Sequence, residues 1–276
     1  MRIDQWLGQT TELLQASDSA KLDAELLLLQ QLNKPRSFLF TWPDHLLTAA
    51  QLAALASAVA RRQAGEPIAH ILGQREFWSL PLQCNASTLI PRPDTESLVE
   101  CALALPLPDK AQVVDLGTGT GAIALALKSE RPHWQVQGVE FSLAAAQLAR
   151  TNAAALGLDV AILVGSWFAP LMGQRFDLIV SNPPYIDPSD HHLEEGDVRF
   201  EPRTALVAAE QGLADLRQLI EQAPNYLNNG GYLLLEHGYD QGLAVANLFT
   251  LNGFEHVVTG RDYGQRDRYT LGRWQH

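Results

Sequence analysis

Two short stretches of this chain carry side chains whose types and spacing suit chemistry. The first is Asn182-Pro183-Pro184-Tyr185, which follows directly on Phe176-Asp177-Leu178-Ile179-Val180-Ser181. The apolar run reads as a buried strand of a parallel sheet, and the prolines stop it because they bring no ladder N–H. A polar Asn is thereby left at the carboxyl end of a central strand, where open α/β sheets keep their ligand sites. Asn182 precedes a proline and is biased to an extended backbone, so the loop is stiff. Its side-chain carbonyl is an acceptor. Together with the Pro183 carbonyl it would grip both hydrogens of a planar NH2 group, and Tyr185 offers a flat face for that group to stack on. An amide or an exocyclic amine suits such a site. Taken alone, Asn-Pro-Pro also fits a simple strand-ending turn.

The second stretch is Gly117-Thr118-Gly119-Thr120-Gly121, placed directly after Gln112-Val113-Val114-Asp115-Leu116. The glycines let the backbone turn tightly and let a ligand approach it. Glu140 closes the next strand, 23 residues after Gly117, and a carboxylate there accepts hydrogen bonds from both ribose hydroxyls of a nucleoside. Gly117-x-Gly119-x-x-Ala122 also fits the dinucleotide fingerprint, and a purely structural turn is a further reading. Two features favour S-adenosylmethionine over NAD. Asp115 before the turn disfavours a pyrophosphate and suits a sulfonium or ammonium. The Asn182 loop supplies a nucleophile site that hydride transfer does not need.

Composition narrows the class. The 276 residues, 46% of them apolar, suffice for one large or two modest globular domains. No apolar run approaches the ~18 residues of a membrane span, and Met1-Arg2-Ile3-Asp4-Gln5-Trp6 lacks the order of a signal peptide. Cys84 and Cys101 are far from any CxxC spacing and read as reduced thiols of a cytoplasmic protein. The net charge of −11 argues against a phosphate backbone as the main target. No cluster suggests a metal site.

The elements that must position these residues fall into three stretches. Residues 1–73 read as helical. Ile3–Ala16 has apolar residues in helical phase, Ser17-Asp18-Ser19 supplies caps for a helix to Leu32, and Thr48 caps one through Arg62 with Gly65 as its stop. No catalytic constellation is visible there, which points to substrate recognition, with a plain packed bundle or a lid as the alternatives. Residues 74–93 read as a β-hairpin and linker, with the stiff Ile90-Pro91-Arg92-Pro93-Asp94-Thr95-Glu96 leading into a helix. Residues 94–276 alternate strand and helix, which predicts an α/β fold with a doubly wound sheet. Its strands are expected at 112–116, 136–140, 160–164, 176–181 and 231–236, with a final pair at 254–259 and 268–271. A polar excursion between Tyr185 and Gly212 is too long for an ordinary connection.

Asp115 to Gly121, Glu140 and Asn182 to Tyr185 together resemble a class I S-adenosylmethionine-dependent methyltransferase. With the Ile90–Glu96 motif and the helical start added, the chain resembles, over essentially its full length, the release-factor glutamine N5-methyltransferases. The resemblance implies a seven-stranded Rossmann-like sheet with an N-terminal helical domain. It implies methylation of the glutamine in the Gly-Gly-Gln motif of class 1 peptide chain release factors. It assigns Gly117, Thr118, Gly119, Thr120, Gly121, Glu140, Trp167 and Asn182 to the cofactor. It assigns Asn182, Pro183, Pro184 and Tyr185 to the substrate amide, with Asn182, Pro183 and Tyr185 catalytic. Glu140 stands where the family also uses Asp. A ribosomal-protein glutamine is an alternative substrate, as is adenine N6 or guanine N2 of a nucleic acid. Against the last stands the flank from Ser181 to Thr204, with six acids and two arginines. A non-catalytic nucleotide-binding protein is the reading from another class. A monomer without direct nucleic-acid or membrane binding is expected.

Overall fold

A computed structural model describes residues 1–275. The chain divides into two compact units, one of residues 1–73 with 195–200, the other of residues 74–194 with 201–276.

The first unit is helical: α1 (Ile3–Leu13), α2 (Ala20–Leu32), α3 (Ser37–Thr41), α4 (Ala49–Gln63) and α5 (Ile68–Leu72). Ile3, Trp6, Leu14, Leu27, Leu28, Leu39 and Leu55 form its core, the inward stripe of amphipathic helices. Thr48 caps α4 as its sequence suggests. Its hydroxyl accepts from the Gln51 N–H at 3.2 Å, and the Gln51 side chain accepts from the Thr48 N–H at 2.9 Å. The expected caps of α2 behave differently. Ser17 and Ser19 donate to the buried carboxylate of Asp23 at 2.8 and 2.9 Å, and Arg62 completes the pairing at 2.7 Å. A buried charge left unpaired is costly, so it recruits the nearby hydroxyls. Arg62 also reaches Asp197 at 3.1 Å, within this unit.

The second unit opens with the hairpin β1 (Gln74–Phe77) and β2 (Leu80–Gln83), followed by α6 (Glu96–Ala104). Alternation follows: β3 (Gln112–Leu116), α7 (Ala122–Glu130), β4 (Gln135–Glu140), α8 (Leu143–Leu156), β5 (Ala161–Val164), β6 (Phe176–Ser181), α9 (Ala214–Gln222), β7 (Leu227–Glu236), α10 (Gly242–Leu251), β8 (Glu255–Arg261) and β9 (Asp267–Arg273). The seven-stranded sheet runs β5-β4-β3-β6-β7-β9-β8, with β3 to β7 parallel and β9 antiparallel to both its neighbours. Successive side chains alternate between two cores. Val113, Leu178 and Val180 face one, while Val114, Leu116 and Ile179 face the other. Chain order reverses at β3, so the carboxyl ends of β3, β4 and β6 frame a crevice.

Two boundaries differ from the sequence pattern. The helix between β6 and β7 ends at Gln222 and gives way to a 3-10 turn at Ala223–Asn225, short of the β7 boundary, because Pro224 cannot supply the helical N–H. The strand expected from Gly231 begins at Leu227, with Gly230 at φ +83° and an irregular register against β6. Asn228-Asn229-Gly230-Gly231 has turn composition and forms an irregularity within the strand, falling between the pairs Phe176–Leu227 and Leu178–Tyr232.

Candidate functional site

The glycine turn after β3 is held from below. Asp115 is buried, its carboxylate accepting from the Thr118 hydroxyl at 2.6 Å and the Ala124 N–H at 3.3 Å. Burial pushes its carboxyl up to about 7. The sequence argument set Asp115 against a cationic ligand centre. The structure places it under the turn, outside the lining of the cavity above, where it braces the loop. Asn152 on α8 adds a second brace, donating to the Thr120 carbonyl at 2.9 Å and accepting from the Gln83 N–H at 2.8 Å.

Above the turn lies a cavity of about 410 Å³, within the usual range for small-molecule sites. Of the residues singled out in the sequence, Gly117, Thr118, Gly119, Thr120, Glu140, Trp167, Asn182 and Pro184 line it, whereas Gly121, Pro183 and Tyr185 do not. Gly119 has φ +56°, and a Cβ there would meet nothing within 4 Å, so its bare backbone faces open space. Gly121, at φ +87°, instead serves packing, since a Cβ would press on Leu125.

Glu140 ends β4 with both carboxylate oxygens engaged. One accepts from the Gly119 N–H at 2.9 Å and the other from the Ser142 N–H at 2.8 Å. A carboxylate has about four lone-pair sites, so acceptor capacity remains on each oxygen for a pair of hydroxyls. Trp167 holds an unusual left-handed conformation, φ +47°, and its ring packs over Gly117. Such a conformation is costly for a bulky residue and clusters at ligand sites. Its indole hydrogen-bonds Asp215, another lining residue, whose carboxyl burial pushes up.

The Asn182 loop occupies the end of β6. Asn182 donates through Nδ2 to the Thr95 hydroxyl at 3.3 Å, and Thr95 also lines the cavity. Pro183 is buried, and no described residue donates to its carbonyl. The Tyr185 carbonyl is taken by Gln241 at 3.0 Å, and the Tyr185 hydroxyl donates to Glu236 at 3.2 Å. Burial beside Glu236 raises the Tyr185 phenol. The far end of the long excursion returns to this loop, with Ile186 donating to Leu206 at 2.9 Å and Ala208 to Ile186 at 3.0 Å. His191 and His192 are exposed beside Asp190 and do not line the cavity.

Several residues here escaped sequence reasoning. Thr95 and Arg92 were visible only as parts of a stiff motif, and Arg92 pairs with buried Glu201 at 2.5 Å. Glu236 carries the signal that exposed Asn182, a polar residue at the carboxyl end of a strand rich in leucine. Burial pushes its carboxyl up to about 7 against the pull of Thr95, Arg268 and Tyr185.

Known proteins match this chain along its whole length. It is 55% identical to the release factor glutamine methyltransferase of Vibrio cholerae, over 99% of this chain and 97% of that protein. It is 52% identical to the protein of the same name from Escherichia coli K12, over 99% of both. The chain belongs to the release factor glutamine methyltransferases. It is therefore an S-adenosylmethionine-dependent methyltransferase. Residues 5–73 match the family described as PrmC N-terminal domain, and residues 94–197 match the methyltransferase small domain. Among solved structures, a methyltransferase from Pyrococcus furiosus aligns with TM-score 0.56 at 16% identity, covering 83% of this chain and all of that one. The 16S rRNA N2 G1207 methyltransferase of Thermus thermophilus, solved with AdoMet and guanosine, aligns with TM-score 0.52 at 21% identity, covering 73% and 50%. These likenesses establish a methyltransferase fold. No described helix is long and apolar enough to cross a membrane.

Proposed function

We propose that this enzyme transfers a methyl group from S-adenosylmethionine to the side-chain nitrogen (N5) of the glutamine in the Gly-Gly-Gln motif of class 1 release factors. The observation that carries the reading is the meeting of Asn182, at the end of β6, with the Gly119 backbone and Glu140 around one cavity.

The residues present fit the methyl donor. Glu140 keeps free acceptor capacity where a ribose diol belongs, Gly119 leaves the space a Cβ would fill, and Trp167 offers a flat wall. These residues, with Gly117, Thr118, Thr120 and the support of Gly121, would hold it. When bound, S-adenosylmethionine supplies an electrophilic methyl group. The Asn182 side-chain carbonyl and the Pro183 carbonyl are the acceptors for the two hydrogens of the glutamine NH2. They orient the nitrogen and strengthen as positive charge develops on it, so they favour the transition state over the ground state. Tyr185 completes the loop that presents them.

The acidic stretch from Ser181 to Thr204, six acids against two arginines, favours a protein substrate over a phosphate backbone. A monomer acting in the cytoplasm on translation factors fits the same reading. Mass spectrometry of a Gly-Gly-Gln-containing release factor, incubated with enzyme and S-adenosylmethionine, tests it. One added methyl group on that glutamine is expected. Modification confined to a ribosomal-protein glutamine or to a nucleic-acid amine would overturn it.

A further inference from the structure

Thr95 belongs to the stiff motif before α6, and the cofactor and amide sites leave its hydroxyl without a role. We infer that Thr95 is a positioning residue for methyl transfer, holding the Asn182 amide so that its nitrogen faces Thr95 and its oxygen faces the substrate. The inference rests on the amide substrate proposed above.

The argument starts from polarity. A glutamine NH2 presents two hydrogens, so Asn182 serves it only with its carbonyl oxygen. An Asn side chain is nearly symmetric in shape, and a neighbour must choose which end turns inward. Thr95, 4% exposed and lining the same cavity, lies 3.3 Å from Asn182 Nδ2. That distance is long, as is common at sites that tighten only around substrate. A hydroxyl carries one hydrogen. If Thr95 gave that hydrogen to Asn182, the Asn oxygen would turn toward Thr95 and its NH2 would face the incoming NH2, two donors opposed.

The observed geometry turns the amide the productive way: Asn182 donates through Nδ2 to the Thr95 oxygen at 3.3 Å, which leaves its own oxygen for the substrate. Glu236, 2% exposed, accepts the Tyr185 hydroxyl at 3.2 Å, and burial pushes its carboxyl up to about 7 against the pull of Thr95. Arg268 on β9 supplies the nearby positive charge, balanced in turn by Asp262 at 3.0 Å and Asp94 at 3.5 Å. Asn182 thus donates to Thr95, while Tyr185 of the substrate loop donates to Glu236.

The test is single-turnover transfer to a Gly-Gly-Gln-containing release factor at saturating S-adenosylmethionine, with calorimetric cofactor affinity and thermal midpoint measured for each protein. Thr95→Val should slow transfer roughly tenfold, as expected for one lost orienting hydrogen bond, with cofactor affinity unchanged. Thr95→Ser should recover most of the rate. In an Asn182→Ala background, Thr95→Val should cost nothing further, because its effect runs through that amide. If Thr95→Val lowers the midpoint, Thr95→Ala is read in its place. Transfer by Thr95→Val at the wild-type rate, or a full additional loss in the Asn182→Ala background, overturns the inference. Failure of the wild-type enzyme to methylate the glutamine would instead overturn the proposed function.

Discussion

A neutral amide nitrogen is a poor nucleophile, since its lone pair is delocalised into the carbonyl, so alignment has to carry much of the rate. Positioning of reactants is worth on the order of 7–11 kcal/mol in favourable cases. Asn182→Ala should therefore lower the rate of methyl transfer by roughly 10²-fold, the scale of losing one transition-state hydrogen bond, while the thermal midpoint holds because the residue is half-buried at a strand end. A folded Asn182→Ala enzyme that transfers at the wild-type rate would remove the amide grip from the mechanism. Tyr185 is a subtler case. Read from sequence, its ring is a stacking face, and on that reading Tyr185→Phe is nearly silent. Its hydroxyl, however, donates to buried Glu236, and leaving a buried hydrogen-bond partner unsatisfied costs about 1–3 kcal/mol. Tyr185→Phe should reduce the midpoint and slow transfer severalfold. An unchanged midpoint in urea or heat would show that Glu236 finds another donor.

At the scale of elements, the sequence made the alternating core legible because the physical signal is local. Strands β3 and β6 are rich in buried apolar residues, and β3 runs into Gly117 and β6 into Asn182-Pro183. Long-range partners were not legible. Nothing local shows that Asp115 turns beneath its own loop toward Ala124, or that Thr95 and Asn182, 87 positions apart, share a hydrogen bond. Ser17 and Ser19 likewise resemble caps until Asp23 and Arg62 are seen beside them. The glycine turn separates the two kinds of information. Gly119→Ala adds a methyl group toward the cavity at a cost of about 1–2 kcal/mol for the left-handed backbone. It should weaken S-adenosylmethionine binding at least tenfold by calorimetry with only a modest drop in midpoint. Gly121→Ala presses on Leu125, so its main effect should fall on the midpoint. The reverse pattern would mean that the roles of the two glycines are exchanged.

The whole molecule carries two buried acids whose carboxyls are pushed up to about 7, Asp115 and Glu236. Between their ordinary values and about pH 7 the folded chain holds more protons than the unfolded chain, so their contribution to stability falls as pH rises through that window. Asp115→Asn removes one such group while keeping an acceptor for Thr118 and Ala124. Its midpoint relative to wild type should therefore improve from pH 5 to pH 8, and an equal offset at both values would contradict the burial argument. Division of labour is the remaining question at this scale. The helical unit has a core of its own, and the cavity with its lining belongs wholly to the second unit. That separation was readable in part, because residues 1–73 show helical periodicity without a catalytic constellation. The assignment of 195–200 to the helical unit was not, since Asp197 meets Arg62 across 135 positions. With the cavity lined by the second unit alone, we propose that the helices serve the protein substrate and not the methyl donor. A protein comprising residues 74–276 should bind S-adenosylmethionine with affinity within a few-fold of the full chain, yet lose most of its kcat/KM for a release factor. Its rate on a short Gly-Gly-Gln peptide should fall far less, since a peptide engages little beyond the Asn182 loop. If the shortened protein methylates the whole release factor at the full rate, the helical unit has no part in recognition. If it loses the peptide reaction and the cofactor together, the helices support the catalytic sheet itself.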